Sequence, residues 1–217
     1  MNSFCETFRK KGIPFKANDN ISQYLTEDDL KTIQKDVQEK VLAVLKALVI
    51  DVDNDPNTKG TAERIARMFV NEVFAGRYQP MPKATDFPNT KKLDDMLVVS
   101  TTIRSTCSHH FAPSLGKAWI AVIPRDRVIG ISKFSRLANW ICARPQIQEE
   151  AAVQIADLLE EKINPLGIAI VIKASHSCMT WRGVKDESAL MTTSVMRGVF
   201  RDDHKARAEF LEFVKNE

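Results

Sequence analysis

Apolar residues recur at helical spacing early in the chain and at alternating spacing later, and this change of period divides the sequence. Ile33, Val37, Val41, Leu45 and Leu48 form a stripe three or four residues apart, which predicts an amphipathic helix. Thr26, with Asp29 three residues on, is an acidic form of the helix-start signal and marks its beginning. After a loop over 51–59, Ile65, Met68, Phe69 and Val73 predict a second helix. Gly76 closes it, since glycine tolerates the left-handed cap. From 97 to 103 and from 117 to 123 the pattern alternates, predicting two strands, the second stopped by Pro124. A helix capped by Ser132 follows through Leu137, Trp140 and Ile141 as far as Pro145. The next carries Ile147, Ala151, Ile155, Leu158 and Ile163 and ends at Asn164-Pro165. Two further strands, 168–174 and 189–200, precede a charged helix from about Asp203.

Behind the helical front the order is strand, strand, helix, helix, strand, strand. That order predicts an α+β domain in which a four-stranded antiparallel sheet carries the helical pair on one face. Three segments result: an arm over 1–25 without clear period, a helical region over 26–92, and a sheet domain with its terminal helix over 93–217. The exposed edges of such a sheet invite pairing with a neighbour, so a homo-oligomer is expected.

Composition narrows the function. The 217 residues are 44% hydrophobic and 27% charged, with 8 Gly and 9 Pro, which excludes low-complexity and largely disordered chains. The best apolar run, 41–50, is broken by Lys46 and is too short to span a bilayer, and the first twenty residues contain no secretory core. A cytoplasmic location is the expectation. A net charge of +3 argues against non-specific nucleic-acid binding while permitting a local basic pocket. The four cysteines, Cys5, Cys107, Cys142 and Cys178, are too scattered for a disulfide framework.

Histidine is scarce, four in all, yet three fall in two clusters that also hold two cysteines: Cys107-Ser108-His109-His110 and His176-Ser177-Cys178. Thiolate and imidazole are preferred zinc ligands. A Cys-x-x-His segment plus one distant Cys gives three, leaving a tetrahedral position open for water. His109 and His110 cannot both face one ion from an extended segment, so one ligates and the other is free to move protons. If Cys178 ligates from a strand end, His176 shares its side and is close enough for acid–base work. His204 lies apart in the charged terminal helix, and Trp119, Trp140 and Trp181 read as core rather than as stacking platforms.

A second group suits anions. Ser132-Lys133-Phe134-Ser135-Arg136 sits at a helix start, where free N–H groups and the dipole favour negative charge, and Lys133 and Arg136 share one face. Gln148-Glu149 opens the next helix. Its carboxylate either complements the dipole there or accepts two N–H bonds from a guanine edge. Arg182 adds positive charge beside Cys178.

These segments together, STCSHHFAPSLGKAWIAVIPRDRVIGISKFSRL, RPQIQEE, HSCMTWRG and TTSVMRGVF, resemble GTP cyclohydrolase I, a family of zinc-dependent, pterin-forming enzymes. The resemblance runs from Thr26 to the end. It implies a tunnelling-fold (T-fold) sheet domain behind an N-terminal helical hairpin, assembled as a decamer of two pentamers with active sites at subunit boundaries. At matching positions it implies Zn2+ on Cys107, His110 and Cys178, with His109 and His176 as the acid–base pair. Glu149 with Gln148 would hold guanine, Lys133, Arg136, Arg182 and Arg64 the triphosphate, and Ser132 would lie near the ribose. The implied reaction is zinc-hydroxide attack at C8 of GTP, opening of the imidazole ring, loss of formate, and rearrangement of the ribose to 7,8-dihydroneopterin triphosphate. One departure stands out: Ser108 occupies a position that is commonly acidic in the family. Two other readings fit the same residues. One is a nitrile-reductase-like T-fold enzyme with a metal-free nucleophilic Cys, for which Cys142 is the spare thiol. The other is a non-catalytic purine- or pterin-binding oligomer with structural zinc.

Overall fold

The computed structural model describes residues 3–216, and internal contacts divide the chain into two units, Met1–Pro80 and Met81–Glu217. In the first unit, α1 (Ser3–Lys10) is followed by α2 (Glu27–Ala47), α3 (Thr61–Met68) and a short α4 (Ala75–Tyr78). The signal at Thr26 forms a full capping box. The threonine hydroxyl accepts from the Asp29 N–H at 3.2 Å, and the Asp29 carboxylate accepts from the Thr26 N–H at 2.8 Å. The Thr26 N–H and hydroxyl, both donating to the ionised Asp29 carboxylate, hold its carboxyl below the ordinary pKa.

Two expectations differ here. The polar start of the chain, of which residues 1 and 2 lie outside the described ones, holds helix α1. Its Phe8 is buried and meets Phe15 and Tyr24 edge-on, each at 5.9 Å. Eight residues carry too few repeats to show a period. Gly76 does not close the second helix either. A π turn over Phe69–Val73 follows α3, with Phe69 stacked on Phe74 at 5.0 Å, and Gly76 is buried inside α4 with its carbonyl bound by Asn20.

The second unit is a mixed α+β fold. Its elements are β1 (Asp86–Pro88), β2 (Leu97–Cys107), β3 (Pro113–Ile123), β4 (Arg127–Ile129), α5 (Ile131–Cys142), β5 (Pro145–Gln146), α6 (Gln148–Ile163), β6 (Gly167–His176), α7 (Ser177–Thr180), β7 (Met191–Gly198), α8 (Val199–Asp202) and α9 (His204–Lys215). The main sheet runs β5-β2-β3-β6-β7. It has five strands rather than four because Pro145–Gln146 pairs parallel to Thr106–Cys107; β1 and β4 form a separate antiparallel pair. The cap of α5 is Gly130 and not Ser132, which lies one residue inside the helix.

Strand parity explains both cores. Ala118, Ile120 and Val122 of β3, with Ile168, Ile170 and Ile172 of β6, face α5 and α6 and pack against Phe134, Leu137, Ile155 and Leu159. The alternate residues Trp119, Ala121, Ala169 and Val171 face the opposite way, onto Phe200, Phe210 and Val214 of the C-terminal helices. Central strands covered on both faces read as nearly continuous apolar runs, as this sequence does.

At Gly116 β3 has no room for a side chain. An added Cβ would lie 2.1 Å from the Lys173 carbonyl oxygen and 2.6 Å from the Ala174 Cα. Because the obstacle is backbone of the central partner strand, Gly116→Ala should destabilise the sheet unit by about 3 kcal/mol. A marked fall in the thermal unfolding midpoint is the expected result, and an unchanged midpoint would contradict this packing.

Candidate active site

The fold gathers chemistry-bearing residues at one end of the sheet. β2 ends there at Cys107, β3 begins at Pro113, β6 ends at His176, and α6 begins at Gln148. Between β2 and β3 the segment Ser108–His110 makes a tight turn, closed by the Cys107 N–H to the Ala112 carbonyl and the Phe111 N–H to the Cys107 carbonyl, both 2.9 Å. Phe111 holds a φ of 51° to complete it. The Ser108 N–H donates to the Gln146 carbonyl at 3.3 Å, so β5 anchors this turn.

The side chains of Cys107 and Cys178 are neighbours at this end of the sheet. Cys178 has a raised pKa, first from burial and then from the neighbouring Cys107. Cys178 lies in α7, a turn of helix beyond the strand end, so the two-residue strand period does not relate it to His176. His176 turns inward instead and is 9% exposed. Its Nε2 lies 2.8 Å from the Gln148 Oε1 and 3.2 Å from the Ser114 Oγ. Burial lowers the His176 pKa, and the negative charge of Glu149 opposes that effect. The imidazole therefore stays neutral to a lower pH than usual.

His109 and His110 are exposed in the turn. The His110 Nε2 is 3.0 Å from the Arg182 Nη1, and since a guanidinium only donates, the histidine nitrogen accepts. Two of the three expected ligands, Cys107 and Cys178, are thus side by side, while His110 is directed to Arg182. Among the described residues no three His, Cys, Asp or Glu side chains are grouped to hold a metal ion. Paired thiols next to an imidazole of the same turn are nonetheless a soft donor set of the kind zinc takes.

Other expected residues are placed elsewhere. Gln148 is buried, and its amide is used inside the fold: Nε2 donates to the carbonyls of Ile172 and Met191 and to the Thr193 hydroxyl. The cavity it shares with Ser105, Ser114 and His176 measures about 10 Å³, too small for a purine. Glu149, one residue on, is exposed. The start of α5 lies away from the thiols. Asn139 of α5 donates to the Thr102 carbonyl midway along β2, and Ser132 precedes it by seven residues, about 10 Å of helix toward the opposite end. Lys133 there donates to the Lys83 carbonyl, and Arg136 is exposed. Arg64 belongs to the other unit, where its guanidinium bonds the Lys59 and Asn57 carbonyls and the Thr61 hydroxyl. Trp181, read from the sequence as core, is 80% exposed, whereas Trp119 is buried.

Sequence reasoning missed Ser114. The signal was present: it is a small polar residue in phase with the buried residues Ala118, Ile120 and Val122 of β3.

A family model described as GTP cyclohydrolase I matches residues 37–215. The chain belongs to the GTP cyclohydrolase I family. Curated relatives named GTP cyclohydrolase 1 include one from Thermoanaerobacter pseudethanolicus, 37% identical over 82% of this chain and 97% of its own length. Another, from Flavobacterium johnsoniae, is 39% identical over 87% of this chain and 83% of its own, and one from Aeromonas salmonicida is 41% identical over 80% of each. Among solved structures, an archaeosine synthase of the QueF-like type in its apo form matches 48% of this chain and 93% of its own, at 17% identity and a TM-score of 0.40. As a member of the GTP cyclohydrolase I family the chain is an enzyme of that class. Among the described residues no helix is long and apolar enough to cross a membrane.

Cys142 lines the small cavity beside Gln148 and His176 but presents no reactive thiol there. It is fully buried against the α5–α6 core, and burial pushes its thiol up to about 12. A raised pKa keeps the group protonated and unreactive throughout the neutral and mildly alkaline range. Alkylation of metal-free protein followed by peptide mass spectrometry should modify Cys178 and Cys5 well before Cys142. Equal rates would contradict the placement.

Proposed function

We propose that the chain opens the imidazole ring of the guanine in GTP by hydrolysis, releases formate and rearranges the ribose to give 7,8-dihydroneopterin triphosphate. The observation that carries this reading is the pairing of the Cys107 and Cys178 thiols at the sheet end where His176 is held neutral. Cys107, Cys178 and His110 would hold Zn2+, with His110 giving up its bond to Arg182. Zinc in such a position supplies Lewis acidity, lowering the pKa of water to about 7.

The remaining work falls to this chain's own side chains. Water must add at C8 of the purine, and a proton must reach the ring nitrogen as the C–N bond breaks. His176 is the buried imidazole for that transfer, and exposed His109 serves the later proton movements of the ribose together with Ser132. The exposed Glu149 carboxylate at the start of α6 accepts the N–H edge of guanine. Lys133, Arg136 and Arg182 hold the triphosphate. That binding energy lies far from C8 and positions the purine for attack.

One copy cannot present both groups to one substrate, because α5 begins toward the opposite end of the sheet from the thiols. We infer a homo-oligomer, a decamer of two pentamers, in which the α5 start of one copy completes the thiol end of another. The sheet unit would be a T-fold behind the α2–α3 helical hairpin, and the enzyme cytoplasmic.

Formate and pterin formation from GTP by the zinc-loaded protein test the reaction. Wild type should release both, and Cys178→Ala should release neither. Zinc loading without either product would overturn the reading. Shared sites predict complementation: Cys178→Ala and Arg136→Ala chains, inactive alone, should regain activity when unfolded and reassembled together. Continued inactivity of well-formed mixed oligomers would place the whole site in one copy.

A further inference from the structure

The hydrogen bonds of Gln148 fix which nitrogen of His176 can react. The Gln148 Nε2 lies 3.1 Å from the Ile172 carbonyl oxygen, 3.2 Å from the Met191 carbonyl oxygen and 3.1 Å from the Thr193 Oγ1. Backbone carbonyls only accept, so this end of the amide must be the NH₂, and the opposite orientation would set oxygen against oxygen twice. The Oε1 is therefore the atom that faces the His176 Nε2 at 2.8 Å, and it too can only accept. The Nε2 must carry a hydrogen. Ser114 Oγ, 3.2 Å from the same nitrogen, adapts by rotating its hydroxyl and can accept as well.

Strand register holds this arrangement in place. Ser114 pairs with His176 across β3 and β6, while the acceptors of the Gln148 amide come from β6 and β7. Gln148 is 7% exposed and His176 9%, so solvent does not compete for either group.

We infer that Gln148 is a positioning residue that holds His176 as the Nε2–H tautomer and leaves Nδ1 as the nitrogen that exchanges a proton with the substrate. This inference rests on the role proposed above for His176 and replaces the expectation that Gln148 touches guanine. In the forward direction the bare Nδ1 of His176 takes a proton from the water that adds at C8 and passes it to the purine ring nitrogen as the C–N bond breaks, and the imidazole returns to the neutral form that Gln148 stabilises. Guanine recognition is left to Glu149, whose carboxylate is outside this network.

Steady-state kinetics on the zinc-loaded full chain separate the two roles of Gln148. Gln148→Met keeps the length of the side chain and removes the acceptor. It should lower kcat on the order of 100-fold, the usual scale for a displaced acid–base group, with KM for GTP nearly unchanged. Gln148→Glu, whose carboxyl when protonated keeps an oxygen against Nε2 and an O–H toward the carbonyls of Ile172 and Met191, should retain more of kcat than Gln148→Met. Either variant raising KM with kcat unchanged, or both falling equally while thermal midpoint and oligomer mass stay those of wild type, overturns the positioning role. Neutron diffraction on mildly alkaline wild-type crystals reads the tautomer without any substitution. Deuterium on the His176 Nε2 alone is expected, and deuterium on Nδ1 with a bare Nε2 overturns the inference. His176→Ala distinguishes the levels: if it remains active, the acid–base role and the positioning role fall together. If it is inactive while Gln148→Met matches wild type, the positioning role alone falls.

Discussion

The antiparallel pairing of β3 with β6 constrains every other part of the sheet unit. Ten residue pairs, from Ser114 with His176 to Ile123 with Gly167, run down the middle of the sheet. Their parity sends one set of side chains into the α5–α6 core and the other onto α8 and α9. Close approach at Gly116 allows no slip, and a shift of one residue would exchange the two faces. The same register delivers Ser114 and His176 to the helix-covered face at the end of the sheet, where α6 starts. The geometry of the imidazole is therefore a consequence of core packing, set by a sheet that cannot rearrange without unfolding.

A buried polar group next to an apolar core costs free energy unless its partners are all in place, about 1–3 kcal/mol for each one left unmade. Gln148 meets that condition with three acceptors for its amide nitrogen and one donor for its oxygen. The exposed groups face the opposite situation. His109, Glu149 and Arg136 are exposed to solvent. The sheet end thus combines a rigid inner layer of His176, Gln148 and Ser114 with an outer layer of solvated groups, which the proposed function assigns to substrate, metal or a neighbouring copy.

Much of this was legible in the sequence, for identifiable reasons. The capping box at Thr26, the apolar period of α6 and the long runs of β3 and β6 are local patterns, and the structure follows them. The cysteine and histidine clusters stood out because histidine is rare in this chain. Three things were hidden. The two-residue β5 is too short to show a period, and it exists only because Cys107 offers an edge. The hydrogen bonds of Gln148 go to acceptors from β6 and β7, far away in sequence, so no local pattern shows them. Trp181 gave a misleading signal, since its side chain sits in a turn beyond α7 and not on a core-facing strand or helix.

The central claim is that the two thiols at the sheet end, with His110, form an open metal site. Zinc-edge X-ray absorption on the full chain tests it most directly. The account predicts two sulfur ligands at about 2.3 Å and one imidazole nitrogen at about 2.0 Å, with a light oxygen atom in the fourth position. A first shell without sulfur, or one closed by a fourth protein ligand, would contradict it.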